Sequence, residues 1–459
     1  MGARGRERDR RASWRATARR VALGRVGDMM AQGTAVPVAA ERERSFDLLE
    51  ILLILTAFIA PLNLRMFRAL TAYDVATALL GILVIAGPLK LRQIPTALRI
   101  AAAIMLVAGL VSAFRSTYPI EAAYHVLQFA FVFFLQLPVL LTLTRSRRAI
   151  DAMIAMFILG YLAVIAVSLL QPSTAGGRVL PFYNEENANA LGLPTVFLLP
   201  FVLCFALREW RGARRPAVLG LFGIAVYMML WALGASASRG STAASILSLT
   251  VFVVCSGGID RWRRVLLRIG VVLLVVLAVG VVVTETNIFG AKLKDRLVST
   301  FGGSEPHAVT DERAALNRAG INEFLQNPFV GTGFDNFRYV SQFYDDAATF
   351  HDPHNLWVQF LAQTGIVGAA AFAYIIARWF VLLLRTQSFA ERRSDREMLW
   401  AFIAAMIGIM AHSMLSPLVL QRHYWILYGL GISLCLFVAV GEPSERSRIG
   451  ARLRRVVSA

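Results

Sequence analysis

The chain is predicted to be an all-α polytopic membrane protein, with about 12 transmembrane helices and one large periplasmic loop that contains short helices. Three observations predict it. Hydrophobic residues make up 57% of the chain and charged residues 17%, where soluble domains carry about 25% charged residues. Apolar runs of about 20 residues, each long enough to cross a bilayer, recur along the whole length. Basic residues cluster in every second connection between those runs. Mean hydropathy is +0.59. Helices are the expected element because in lipid they satisfy their own backbone groups.

The first unit, residues 1–44, is a basic tail with eleven Arg against Glu7, Asp9, Asp28, Glu41 and Glu43. It lacks an apolar core and is expected to be disordered and cytoplasmic. No apolar stretch with a small-residue cleavage site follows its arginines, so it does not read as a cleavable signal peptide. Met29 or Met30 offers a later start. Transmembrane helices 1–9 occupy 45–284, with apolar runs near 46–63, 71–88, 98–114, 125–143, 150–170, 189–207, 217–235, 241–257 and 265–284. The large loop is 285–355. Helices 10–12 occupy 356–441, with runs near 356–384, 398–418 and 424–441, and a basic cytoplasmic tail, 442–459, follows.

The net charge of +18 is not a nucleic-acid signal, because of where it sits. With the N-terminus inside, the cytoplasmic connections hold Lys90, Arg92 and Arg99; Arg145, Arg147 and Arg148; Arg208, Arg211, Arg214 and Arg215; Arg261, Arg263, Arg264 and Arg268; and Arg385, Arg392, Arg393 and Arg396. The intervening short loops carry mostly one or two basic residues. This is the positive-inside pattern. It predicts both termini in the cytoplasm and the loop 285–355 on the outer face, periplasmic if the cell is Gram-negative. Cys204, Cys255 and Cys435 all lie in apolar runs and read as small buried hydrophobes rather than a disulfide framework.

Polar residues gather in the outer loops. The loop after the fifth span runs Gly176-Gly177-Arg178 to Asn184-Glu185-Glu186-Asn187. Ser236 to Ser241 is almost the whole connection between spans seven and eight, so Arg239 sits at the edge of the hydrocarbon. The large loop contains Arg313 and an amphipathic run through Ala315, Leu316, Ala319, Phe324 and Leu325, which predicts a short interfacial helix ended by Asn327-Pro328. Gly331-Thr332-Gly333 then turns the chain. Asn336, Phe337, Val340, Phe343 and Tyr344 predict a second short helix leading to His351-Asp352-Pro353-His354-Asn355-Leu356. A His-Asn pair at the lip of a span is costly, which usually marks function. Gly365 and Gly368 are expected to let that span pack closely on neighbouring helices.

Three arginines and one histidine thus share a face. Arg presents a permanent charge in a planar fork suited to phosphate oxygens, and His exchanges a proton near neutral pH. Together they suggest transfer of a group away from a phosphate or pyrophosphate. Outside the cytoplasmic membrane the simplest phosphorylated donor is carried on a lipid. Plainer readings stand beside this one. Arg178 and Arg313 could snorkel or pair with Glu185 or Asp311, His351 could be a loop residue, and His354 a helix cap. His125, His307, His412 and His423 read as structural or solvated. His351 and His354 lie three apart, but Pro353 between them and a missing third ligand argue against metal.

These residues carry a family resemblance. His354-Asn355-Leu356 with the glycines at 365 and 368, the run Arg313 to Asn327-Pro328-Phe329-Val330-Gly331-Thr332-Gly333 and Phe337, and Ser236-x-Ser238-Arg239 resemble the O-antigen ligase and O-antigen polymerase superfamily. The resemblance covers roughly residues 170–370. One departure is that the family's first arginine often continues with a glycine and Asn-Pro-Asn, whereas Pro181 follows Arg178 here. The resemblance implies a metal-independent, cofactor-free, inverting glycosyltransferase embedded in the lipid bilayer. Its donor would be a glycan on undecaprenyl pyrophosphate. Its acceptor would be lipid A-core oligosaccharide in a ligase, or a growing polysaccharide in a polymerase. It implies that Arg178 and Arg239 hold the pyrophosphate and that His354 deprotonates the acceptor. Arg313, Asn355, Asn187 and Ser238 would contribute to substrate binding. The alternative from another class is a transporter of lipid-linked sugars. That class tends to bury ionisable groups near the midplane and to show repeated halves, and here the span cores are nearly free of charge.

Overall fold

A computed structural model describes residues 46–67, 70–85, 94–144, 146–170, 172–175, 178–181, 189–212, 215–256, 307–346, 348, 351–416 and 422–440. Its helices, in chain order, are α1 (Leu48–Leu62), α2 (Ala72–Ile85), α3 (Thr96–Phe114), α4 (Pro119–Phe131), α5 (Leu137–Leu143), α6 (Arg147–Leu170), α7 (Asn189–Arg211), α8 (Pro216–Ser236), α9 (Arg239–Ser256), α10 (His307–Gln326), α11 (Phe337–Val340), α12 (Leu356–Phe389), α13 (Arg393–Ser413) and α14 (Arg422–Val440). Each apolar run coincides with a helix except 265–284, which lies outside the described residues, as do both tails and 285–306. Among the described residues, seven helices are long and apolar enough to cross a membrane, counting Pro119–Leu143 as one.

Two antiparallel ribbons were not foreseen: β1 (Arg65–Phe67) with β2 (Leu70–Thr71), and β3 (Ser173–Ala175) with β4 (Arg178–Leu180). Their strands are too short to show an alternating pattern. A wider π turn, Val132–Gln136, joins α4 to α5 just before Pro138. Proline lacks the N–H that a regular turn would use, so a bulge there is a natural accommodation.

Helix starts follow local chemistry. The Asp47 carboxylate accepts the Glu50 N–H at 2.8 Å at the head of α1, and Pro119 and Pro216 occupy first turns where no N–H is needed. Within the bundle, polar side chains tie spans together. The Tyr161 hydroxyl donates to the Leu191 carbonyl at 2.6 Å and lies 2.8 Å from the Thr195 hydroxyl. Thr195 donates in turn to the Met229 carbonyl at 3.2 Å. Such bonds join helices where lipid supplies no hydrophobic drive between them.

Charge collects at one end. Arg147 pairs with Asp151 and, at 3.2 Å, with Asp395. Arg208 reaches Asp151 at 2.7 Å, and Arg211 and Arg393 both hold Glu397. Three connections predicted to share one side of the membrane therefore meet. α8 and α13 start at this end and α12 finishes at it. The opposite end holds the α8–α9 hairpin, the close of α13 and the start of α12.

Candidate functional site

The start of α12 is built around a break. Gly365 adopts φ 62° and ψ −171°, which interrupts the helix. The freed carbonyls find partners in the run Asn327–Gly333. The Thr332 N–H donates to the Ala362 carbonyl at 3.1 Å and the Gly333 N–H to the Gln363 carbonyl at 3.0 Å. The Ile366 N–H donates to the Pro328 carbonyl at 2.8 Å. Ser112 of α3 adds a hydroxyl to the Gln363 carbonyl at 2.5 Å. A Cβ on Gly331 would strike the backbone of Gln363 and Thr364, and one on Gly365 the backbone of Phe329 and Val330. The motif is thus a loop plugged into a broken span. The expectation that these glycines serve helix–helix contact is corrected: Gly365 admits the plug, and Gly368 faces Thr364 of its own helix. Phe334 continues the plug into an aromatic cluster, 5.2 Å from Phe129 and 5.9 Å from Phe360 between centroids.

His354 and Asn355 head this broken helix. Asn355 is its N-cap, with Oδ1 accepting the Trp357 N–H at 3.0 Å and the Val358 N–H at 3.4 Å. That engagement gives Asn355 a capping role. His354 is half-buried. Burial pushes its pKa below the ordinary histidine value; Arg313 and His351 add to this and Glu312 opposes it. His354 and Arg313 therefore lie within electrostatic reach, and the imidazole is neutral at neutral pH, as a base must be. His351 is exposed and sits 3.6 Å from Glu312.

Arg239 belongs to a second group at the same end. Ala237, at φ 46°, turns the chain between α8 and α9. Ser238 caps α9: its hydroxyl accepts the Ser241 N–H at 3.2 Å, and its carbonyl accepts the Thr242 N–H at 3.0 Å. Arg239 is therefore the first residue of the helix, half-buried, beside backbone N–H groups that favour an anion. Strand β4, which begins at Arg178, lies against α7 and α8. The Arg178 side chain and the whole of Asn187 lie outside the described residues.

Further titratable residues to which the sequence assigned no site role are buried or paired in the structure. His412, read as structural or solvated, is 2% exposed and its Nε2 lies 3.1 Å from the Ser241 hydroxyl. His125, read the same way, sits 2.9 Å from Asp335, which Arg338 also holds. Asp335 feels burial, yet His125 and Arg338 keep its pKa below the usual carboxylate range. Asp352, near this cluster, is pushed up to about 6 by burial and by Asp335. Glu323 on α10 is fully buried, hydrogen-bonded by Thr332, and pushed up to about 7, chiefly by burial. Its position was the available signal. Leu316, Ala319, Gly320 and Glu323 form the buried stripe of α10, whereas the expected Leu325 is 65% exposed.

Residues 224–373 match the family model described as O-antigen ligase. This segment is similar to the O-antigen ligase family, in agreement with the resemblance to the O-antigen ligase and polymerase superfamily. It contains Arg239, Arg313 and His354 and ends before His412. No curated protein sequence matches. One similar solved chain comes from work on the structural coordination of polymerization and crosslinking by a peptidoglycan synthase complex. It shares 17% identity over 74% of this chain and 96% of that chain, with a TM-score of 0.41. Among the described residues no group of three or more His, Cys, Asp or Glu is arranged to hold a metal ion.

Proposed function

We propose that the protein is a membrane-embedded inverting glycosyltransferase of the O-antigen ligase type. It moves a glycan from undecaprenyl pyrophosphate to a hydroxyl of lipid A-core oligosaccharide or of a growing polysaccharide, on the periplasmic side of the inner membrane. The observation that carries this reading is the presence of two groups at one end of the bundle, within the segment similar to the O-antigen ligase family: Arg239 in the first turn of α9, and a half-buried His354 within electrostatic reach of Arg313.

The chemistry follows from those groups. His354 accepts the acceptor's hydroxyl proton while the acceptor oxygen bonds to the anomeric carbon of the donor glycan. The bond from that carbon to the pyrophosphate oxygen breaks, and its electron pair leaves with undecaprenyl pyrophosphate. Arg239, joined by Arg178, meets the charge that develops on the pyrophosphate, commonly the largest catalytic contribution. General-base help is worth about 10²–10⁴-fold. No step calls for a metal.

The test uses the full chain in nanodiscs with a lipid-linked glycan donor and lipid A-core acceptor. Transfer is expected with and without EDTA. Loss in EDTA, restored by a divalent ion, would replace this mechanism with a metal-dependent one, and no transfer to any glycan acceptor would favour transport of the lipid-linked sugar.

A further inference from the structure

His412 lies on α13, outside the segment that matches the O-antigen ligase family, yet it touches the turn that carries Arg239. Its Cδ2 would lie 3.8 Å from a Cβ on Gly240, and its Nε2 is 3.1 Å from Ser241 Oγ. The hydroxyls there form an ordered chain. Ser238 Oγ donates to Ser241 Oγ at 2.9 Å and accepts the Ser241 N–H at 3.2 Å. With that hydrogen bond filling one lone pair of Ser241 Oγ, the Ser241 hydroxyl hydrogen is free to go to His412 Nε2. Ser236, Ser238 and Ser241 are all nearly or wholly buried, and so is His412. Bulk water cannot stand in for any of these partners, so a break in the chain leaves a buried polar group unsatisfied.

The packing around the chain leaves little slack. A Cβ on Gly192 of α7 would meet the Ser236 hydroxyl at 2.5 Å and Ser241 at 3.4 Å. One on Gly408, a turn below His412, would meet Ser248 of α9 at 2.8 Å. Ser248 also donates to the Ala404 carbonyl at 2.9 Å. α9 is thus pinned to α13 by two polar links on one face, at Ser248 and at Ser241. Only the second reaches the first turn.

We propose that His412 is a positioning residue for Arg239: through Ser241 and Ser238 it fixes the first turn of α9, and so the place where Arg239 meets a pyrophosphate. This rests on the reading of Arg239 as the pyrophosphate ligand. His412 Nδ1 is buried without a hydrogen-bond partner. The ring's polar contact among the described residues is therefore the one that Nε2 makes with Ser241.

The experiment measures binding of undecaprenyl pyrophosphate to the full chain in nanodiscs, with a melting curve for each variant. His412→Leu and Ser241→Ala each cut the same link and are expected to weaken binding about tenfold. The double variant should be no worse than the weaker single one, because coupled residues are not additive. His412→Gln, which can present an acceptor near the Nε2 position, should recover most of the binding. A residue that only packs would lower the melting temperature without rescue by Gln. Wild-type binding by His412→Leu, or independent multiplication of the two effects, would overturn the proposal. Should His412→Leu not fold, the Ser241→Ala and His412→Gln arms decide it alone. If Arg239→Ala binds as tightly as wild type, it is the underlying reading of Arg239 that fails.

Discussion

Replacing Gly365 by Ala tests how the site is mounted. At φ 62° and ψ −171° an L side chain is strained, at about 1–3 kcal/mol for such a position. The new methyl would also meet the backbone of Phe329 and Val330, so relief requires the plug to withdraw. Withdrawal exposes the three backbone bonds made by the Thr332, Gly333 and Ile366 N–H groups. Hydrogen exchange reads that opening directly. The strain alone should speed exchange at these three amides by about 5- to 150-fold, at about 1.4 kcal/mol per decade. Gly223→Ala is the control, since a Cβ there has nothing within 4 Å. It should leave the plug amides unchanged and favour α8 by up to about 1 kcal/mol. Unchanged exchange at Thr332, Gly333 and Ile366 in Gly365→Ala would refute the broken-span account.

Glu323 has a folded pKa of about 7, raised from 4.5. Its protonated form is favoured by folding, so this contribution is present below about pH 4.5 and lost as pH rises through about 7. Melting temperature should fall across that window, and Glu323→Gln should flatten the fall; an identical slope in the variant would count against the assignment. The acid limb of transfer should lie below the ordinary histidine pKa, because burial and Arg313 lower that of His354. Arg313→Ala should move the limb up and Glu312→Gln should move it down; no movement in either would separate these residues from the base. Reporter fusions near residues 150, 212 and 390, where the ion-paired end lies, should read cytoplasmic. Those near 180 and 320 should read external, and a cytoplasmic reading at 320 would remove the lipid-linked donor from the mechanism.

Helix positions were legible because a bilayer demands long apolar runs; the arginine pattern put 145–148, 208–215 and 385–396 on one side, and the ion pairs that join them are what the structure adds. The Ser238–Arg239 hairpin was legible because its shortness left no other course. The role of Asn327–Gly333 was not. A loop that pairs with the carbonyls of a broken span looks, residue by residue, like an ordinary turn, and only Gly365's conformation shows the partner. Glu323 and His412 were hidden by chemical type. One is an acid on an apolar stripe, and the other is a histidine in a span with no neighbour in sequence to explain it. Both make sense only beside Thr332 and Ser241, which lie 9 and 171 residues away. The β3–β4 ribbon sets Arg178 in a strand that lies against α7 and α8, a packing that spacing alone cannot express.

The central claim is a division of labour between Arg239 and His354. Arg239→Lys keeps a charge but loses the fork, whereas His354→Ala removes the base and leaves the arginines. The decisive measurement is binding of undecaprenyl-pyrophosphate-linked glycan, taken separately from transfer, on both folded variants. The account predicts that Arg239→Lys weakens donor binding with little change in pH profile. It predicts that His354→Ala binds donor normally and transfers about 10²–10⁴-fold more slowly. Transfer by His354→Ala at the wild-type rate would contradict it, and would leave His354 as part of the cap of α12.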